Sequence, residues 1–185
     1  MALTESTMLE LGTPAPEFIL TDVVTGNEVE LDHSKGEKAL LVMFICAHCP
    51  YVKHINEGLA ALGKDYSSKS LAIVAISSND AETHPDDSPE GLKQQAESFG
   101  FTFPYVHDES QAVAKNYKAA CTPDFFLFDA DFHLVYRGQF DDSRPGNNIP
   151  VTGKDLRAAI DLVLAGEPVP VDQRPSIGCN IKWKA

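Results

Sequence analysis

Apolar and polar residues follow three patterns along the chain, and each predicts an element. Leu40-Leu41-Val42-Met43-Phe44-Ile45 is a continuous apolar run. It is too short for a membrane span and long enough for a strand covered on both faces. Leu71-Ala72-Ile73-Val74-Ala75-Ile76 is a second run of the same kind. Between them Val52, Ile55, Leu59, Leu62 and Tyr66 recur at steps of three and four. That spacing marks the buried face of a helix from about Cys49 to Tyr66. Ser88 reads as the N-cap of another helix with Pro89 at its first position; Leu92, Ala96 and Phe99 form its apolar face and Gly100 ends it.

The remaining segments are shorter. Pro14 to Leu20 begins an extended segment, Thr25-Gly26-Asn27 supplies a turn, and Val29 and Leu31 alternate with Glu28 and Glu30, which predicts an N-terminal β-hairpin. Tyr105-Val106 reads as a short strand, and Ser110 as the cap of a short helix containing Val113 and Tyr117. Phe125–Phe128 and Leu134–Tyr136 flank Asp129-Ala130-Asp131, an antiparallel hairpin signal. Thr152-Gly153-Lys154-Asp155 opens a last helix with Leu156, Ala159, Ile160, Val163 and Leu164 inward and Gly166 as its stop. These elements divide the chain into a flexible polar lead-in at 1–13, one domain at 14–166 and a C-terminal tail at 167–185. Pro168, Pro170 and Pro175 make the tail extended, while Ile181 and Trp183 predict that its end folds back onto the domain. Hairpin, then alternating β and α, then an antiparallel hairpin and a closing helix is the layout of a thioredoxin-like α/β fold, a central mixed sheet flanked by helices.

Composition narrows the function. The chain has 185 residues, 43% of them hydrophobic, enough for one core. Its formal net charge of -12 argues against nucleic acid and against an anionic membrane as partners. The start of the chain carries no basic region followed by an apolar run, so a cytoplasmic location is expected. Four cysteines are too few for a disulfide scaffold. In a reducing compartment a close pair is catalytic or metal-binding.

The close pair is Cys46-Ala47-His48-Cys49, placed where the first buried strand hands over to a helix. Unpaired N–H groups and the positive end of the helix dipole gather there and stabilise a thiolate, the form of cysteine that reacts. A Cys46 pKa below that of a free thiol is the expectation, and so is a disulfide between Cys46 and Cys49, one helical turn apart. A strand, a Cys-x-x-Cys and a helix together are a redox signal. The competing reading is part of a zinc site using Cys46, His48 and Cys49, for which Cys121 and Cys179 are the further thiols at hand.

Gly12-Thr13-Pro14-Ala15-Pro16-Glu17-Phe18-Ile19-Leu20, with Val29-Glu30-Leu31 after a turn, resembles the opening of the alkyl hydroperoxide reductase / thiol-specific antioxidant (redoxin) group. Phe44 to Pro50 resembles its thioredoxin-like branch, and Cys121-Thr122-Pro123-Asp124-Phe125-Phe126 resembles the Thr-Pro that faces the active site in that superfamily. The resemblance runs from about Gly12 through the last helix. It implies a thiol–disulfide oxidoreductase with Cys46 as exposed nucleophile and Cys49 as the more buried resolving thiol. It implies that His48 favours the reduced thiolate, as in oxidising members, and that Pro123 is cis and faces the pair. The backbone of Thr122 would then pair with a substrate chain as an added strand. A protein or small-molecule disulfide or peroxide as substrate and a thiol reductant as partner follow from the same reading, with no cofactor and no resident metal expected.

Two departures bear on the reaction. With Cys49-Pro50 matched to the peroxidatic Cys-Pro of peroxiredoxins, Cys46 stands where they carry Thr or Ser, and Val42 where they carry Pro. The hydroxyl that activates peroxide is therefore missing, and an antioxidant peroxidase is the alternative function. Ile45 stands where thioredoxins carry Trp, and Ala47-His48 where they carry Gly-Pro. Cys121 is either a third redox thiol or a core thiol. Cys179 either resembles the C-terminal resolving cysteine of two-Cys peroxiredoxins or sits in a tail pinned by Ile181 and Trp183. His54, Asp86-Asp87 and Asp141-Asp142 read as solvated charges.

Overall fold

The computed structural model describes residues 3–185. Its centre is strand β4 (Ala39–Phe44), in which all six residues are buried. β4 lies parallel to β5 (Leu71–Ser77) and antiparallel to β8 (Asp124–Asp129). β6 (Tyr105–His107) and β9 (Leu134–Gly138) complete a sheet of order β6-β5-β4-β8-β9. Alternate side chains of β4 enter different cores, which is why its sequence is apolar without interruption. Leu41 and Met43 pack with Leu59, Leu62, Leu156 and Ile160, whereas Leu40, Val42 and Phe44 pack with Tyr117, Phe126 and Phe128.

Helix α1 (Pro50–Tyr66) follows β4 directly, with Cys49 as its N-cap and Pro50 in its first turn. It buries Val52, Ile55, Leu59, Leu62 and Tyr66, the stripe predicted from the spacing. α2 (Pro89–Phe99) begins at Ser88, whose Oγ accepts the Gly91 N–H at 3.3 Å. It ends at Gly100, where φ is 67° and the absence of a Cβ removes the left-handed penalty. Phe99 is an exposed neighbour of Phe101 rather than part of the buried face. α3 (Ala112–Tyr117) starts at Gln111, and Ser110 contributes by accepting the Ala112 N–H at 3.2 Å. α4 (Lys154–Leu164) runs from a Gly153 N-cap. β2 (Ile19–Thr21) and β3 (Glu28–Glu30) form the expected hairpin.

A second, three-stranded sheet departs from the expected layout. Its order is β1-β10-β7, made from β1 (Leu3–Glu5), β10 (Ile177–Asn180) and β7 (Cys121–Thr122). The segment expected to be a flexible lead-in is therefore paired, with Leu3 opposite Cys179 and Glu5 opposite Ile177. Leu9 is buried, and Gly12 donates to the Leu134 carbonyl at 2.8 Å. Its polar residues conceal this role because a strand in a small edge sheet needs backbone partners more than apolar side chains. The tail lies on the domain through β10 and Ile181, which is 1% exposed. Trp183 does not share that burial; it is exposed on one side, with the Lys115 ammonium 5.7 Å from its ring centroid. The Thr122–Pro123 peptide is cis.

Ser6 ties the first segment to the main sheet by donating its hydroxyl to Asp124, which is fully buried. Burial pushes the Asp124 carboxyl up to about 7, against the opposing hydrogen bonds from Ser6 and the Ala120 and Phe125 N–H groups. The folded state thus keeps a proton that the unfolded chain has already lost above about pH 4. Stability should fall as pH rises from about 4 to about 7, with a limiting slope near 1.4 kcal/mol per unit from this group. Thermal unfolding across that range should show the fall in the native chain and a flatter profile in Asp124→Asn. Equal profiles would contradict the assignment.

Candidate active site

The loop between β4 and α1 is short, so Cys46 and Cys49 are fixed by a fully buried strand and by the helix that follows it directly. Both are fully buried. The Cys46 Sγ lies 3.3 Å from the Thr122 hydroxyl, and the Cys49 Sγ lies 3.3 Å from the Thr122 carbonyl oxygen. Thr122 is the last residue of β7 and precedes the cis Pro123. The structure therefore gathers four of the sequence-predicted residues, Cys46, Cys49, Thr122 and Pro123, at one place.

The disulfide is not the expected one. Cys49 is bonded to Cys179, 130 residues away in sequence, while Cys46 and Cys121 are free thiols. β10 carries Cys179 directly opposite Thr122 in the strand register, which delivers its sulfur to Cys49. The same strand occupies the Thr122 backbone edge expected to receive a substrate chain. Cys121 faces Asn180 instead, with its Sγ 3.6 Å from the Pro123 carbonyl oxygen. It is a buried thiol, held well above the ordinary cysteine range by burial and by the neighbouring Asp124 charge.

Cys46 differs from expectation in exposure and in acidity. Burial pushes its thiol up to about 12 and the Asp87 carboxylate adds to this, while the Thr122 hydroxyl, the Cys49 N–H and the Lys182 ammonium work the other way. Desolvation of a thiolate therefore outweighs the pull of the helix N-terminus.

His48 is held by Asp87, a residue that the sequence reading assigned to a solvated loop. Asp87 is fully buried at the end of a short 3-10 turn, Pro85–Asp87. Its Oδ1 accepts the Ala47 and His48 N–H groups at 2.8 and 3.0 Å. Its Oδ2 accepts from the Asn79 amide at 2.8 Å and meets the His48 Nδ1. Burial acts to raise the Asp87 carboxyl, but the bonds from His48 and Asn79 outweigh it and hold the group below its usual range. The His48 ring centroid lies 4.7 Å from that of His84, with the rings tilted by 39°, and its buried Nε2 has no hydrogen-bond partner among the described residues. Only the position of Asp87 after the second buried strand, where functional loops of α/β proteins collect, hinted at this role.

Other expectations are corrected in the same way. His54 bonds the Ser143 hydroxyl through Nε2 at 2.7 Å rather than standing free in solvent. Asp141 is buried and accepts the Thr152 and Gly153 N–H groups, both at 2.6 Å, just before α4. Asp142 keeps the surface role, bridging Lys154 and Arg174.

The zinc reading loses support. Ligand atoms of Cys46, His48 and Asp87 lie within 4.8 Å of one another. Both Asp87 oxygens are already filled by donors, however, and Cys49 is covalently committed to Cys179. A divalent ion there would have to displace the hydrogen bonds that shape the loop.

A profile of the AhpC/TSA family matches residues 11–137. Thiol-disulfide oxidoreductase ResA of Geobacillus kaustophilus is 29% identical over 126 residues, 68% of this chain and 67% of the relative. The crystal structure of an uncharacterized conserved protein from Geobacillus kaustophilus has a TM-score of 0.97 at 57% identity, covering 100% of this chain and 97% of that one. That of a hypothetical protein from Sinorhizobium meliloti 1021 has a TM-score of 0.96 at 53% identity, covering 98% and 99%. The thioredoxin domain of a thiol-disulfide oxidoreductase from Bacteroides vulgatus, 23% identical, matches with a TM-score of 0.61 over 81% of this chain and 97% of that one. The fold is thioredoxin-like. Among the described residues no helix is long and apolar enough to cross a membrane.

In the oxidised protein at pH 8, Cys46 should carry on the order of a thousandfold less thiolate than a free cysteine. Its alkylation should be correspondingly slow and should accelerate toward pH 12, as followed by peptide mass mapping. An alkylation midpoint near or below that of a free thiol would overturn the account of its environment.

Proposed function

This chain belongs to the AhpC/TSA family and is an oxidoreductase, and within that family we propose that it is a thiol–disulfide oxidoreductase acting through Cys46 and Cys49 at the start of α1. The observation that carries the reading is the arrangement around Thr122. One residue holds a free thiol, Cys46, and a disulfide-bonded sulfur, Cys49, each at 3.3 Å. The likeness to ResA supports the same reaction class.

In the proposed cycle the Cys46 thiolate attacks one sulfur of a substrate disulfide, and the other sulfur leaves as a thiolate. Cys49 then attacks the Cys46 sulfur, a Cys46–Cys49 disulfide forms, and the second substrate thiol is released. An external dithiol returns the pair to the reduced state. His48 and Asp87 position the loop, because Asp87 ties the Ala47 and His48 backbone between the two cysteines. The substrate is a protein or small-molecule disulfide.

A second reading is favoured by the Cys49–Cys179 bond and by Pro50 directly after Cys49. Peroxide would oxidise the Cys49 thiolate to a sulfenic acid and leave as an alcohol or water. The Cys179 thiol would condense with that acid to a disulfide, releasing water. The hydroxyl that activates peroxide in peroxiredoxins has no counterpart here, since Cys46 holds its position.

Insulin reduction and peroxide consumption, measured side by side with a common dithiol reductant, separate the two. We expect insulin reduction in the native chain, lost by at least roughly 100-fold in Cys46→Ser and in Cys49→Ser, with little peroxide consumption. Rapid peroxide turnover that survives Cys46→Ser and vanishes in Cys49→Ser would replace the first reading by the second.

A further inference from the structure

The dithiol reading leaves the C-terminal strand without a role, yet that strand is tethered at several points beside the site. Ser176 donates its hydroxyl to the Pro123 carbonyl, and the Ile181 N–H donates to the Ala120 carbonyl at 3.1 Å. Gly178 is packed so closely that a Cβ there would lie 2.0 Å from the Thr122 carbonyl oxygen. Only glycine lets the strand sit this deep. The Lys182 N–H donates to Asn79 Oδ1 at 2.8 Å, and the Lys182 carbonyl accepts the Asp80 N–H and the Gln111 amide, both at 2.8 Å.

This seat has two consequences. β10 fills the backbone edge of Thr122, and with it the surface beside both cysteines. It is also wired to the loop between them: Lys182 bonds Asn79, Asn79 bonds Asp87, and Asp87 holds the N–H groups of Ala47 and His48. Neither Cys46 nor Cys49 is exposed while the strand is seated. A partner disulfide therefore has no sulfur to meet in this state.

We propose that residues 176–184 are a redox latch, and that Cys179 is the third thiol of the reaction, released when the disulfide passes from Cys49–Cys179 to Cys46–Cys49. This rests on the thiol–disulfide reading above. In the step, Cys46 Sγ loses its proton and attacks Cys49 Sγ. The Cys49–Cys179 bond breaks, its electron pair leaves on Cys179 Sγ, and Cys179 takes up a proton in place of the one Cys46 gave. One disulfide forms as one is lost, so nothing is oxidised or reduced overall. What changes is the tether: the strand keeps its hydrogen bonds but loses its covalent hold on α1. The Thr122 edge then opens by local unfolding of β10, which also strips β1 of its ladder partner. Cys49–Cys179 is the closed, resting form, and Cys46–Cys49 is the open form that meets the external dithiol, which returns Cys46 as the free thiol that attacks a substrate disulfide.

The test pairs disulfide mapping with amide hydrogen exchange. In Cys46→Ser the disulfide should stay at Cys49–Cys179, and in oxidised Cys179→Ser it should form at Cys46–Cys49. Exchange at Ile177–Asn180 should be at least tenfold faster in Cys179→Ser than in Cys46→Ser, with α4 amides unchanged as the internal reference. Should Cys179→Ser fail to fold, the native chain with and without a phosphine reductant gives the same comparison. Equal exchange at β10 with the bond closed and broken would overturn the latch, as would failure of Cys46–Cys49 to form in Cys179→Ser. Insulin reduction keeps the two conclusions apart. Activity with a β10 indifferent to the disulfide leaves the oxidoreductase and removes the latch. A loosening β10 in a chain that reduces no disulfide does the reverse.

Discussion

Thr122 is touched from three directions, and the geometry of the site depends on that convergence. Its hydroxyl meets Cys46, its carbonyl meets Cys49, and its backbone pairs with Cys179. A two-residue strand can do this because its neighbours on both sides are fixed. β8 begins immediately after Pro123 and lies in the middle of the main sheet, against β4. β4 in turn leads straight into Cys46. The two ends of the arrangement are thus adjacent strands buried along almost their whole length, and little freedom remains for the sulfurs between them. Rigidity of this kind is what places three cysteines from two distant parts of the chain on one residue.

Burial also sets the chemistry. A helix N-terminus lowers a thiol pKa only where the thiolate keeps some solvation or finds enough donors. Cys46 has one hydroxyl at 3.3 Å and a carboxylate, Asp87, close enough to oppose ionisation. The Asp87 charge is itself stabilised by donors that it cannot share. Its bonds to Ala47, His48 and Asn79 fix the loop's shape, and the loop's shape keeps Cys46 inside. Organisation of the loop and suppression of the thiolate therefore come from the same residue.

The parts of this structure that were legible in the sequence are those governed by periodicity and caps. The unbroken apolar runs of β4 and β5, the stripe of α1, Ser88 with Pro89, and Gly100 each carry a local physical requirement that the sequence displays directly. The Cys-x-x-Cys and the Thr-Pro were legible as motifs. What was not legible depended on partners far away in the chain. β1 contains the polar residues Thr4 and Glu5 and shows no pattern, because its role is to pair with Cys179, Gly178 and Ile177. Asp87 and Asp141 look like other loop acids until the N–H groups they accept are in place. Cys179 could be recognised as a possible redox thiol, but not matched to Cys49. That pairing is set by a strand register, and register between segments so far apart leaves no local trace.

The burial of all three sulfurs constrains how any reaction here can start. A disulfide exchange needs the attacking sulfur, the attacked sulfur and the leaving sulfur close together, and an external partner can supply only what has room to enter. Moving β4 would dismantle both hydrophobic cores, and moving α1 would dismantle one of them. Moving β10 disturbs only the small β1-β10-β7 sheet, the buried Ser176, Gly178, Cys179 and Ile181, and a set of polar contacts. The least costly opening is therefore the C-terminal strand. That strand is also the one whose attachment to the rest of the molecule includes a bond that thiol chemistry can make and break. The position of Cys179 thus joins the mechanical problem of access to the chemical problem of electron transfer, through a single disulfide.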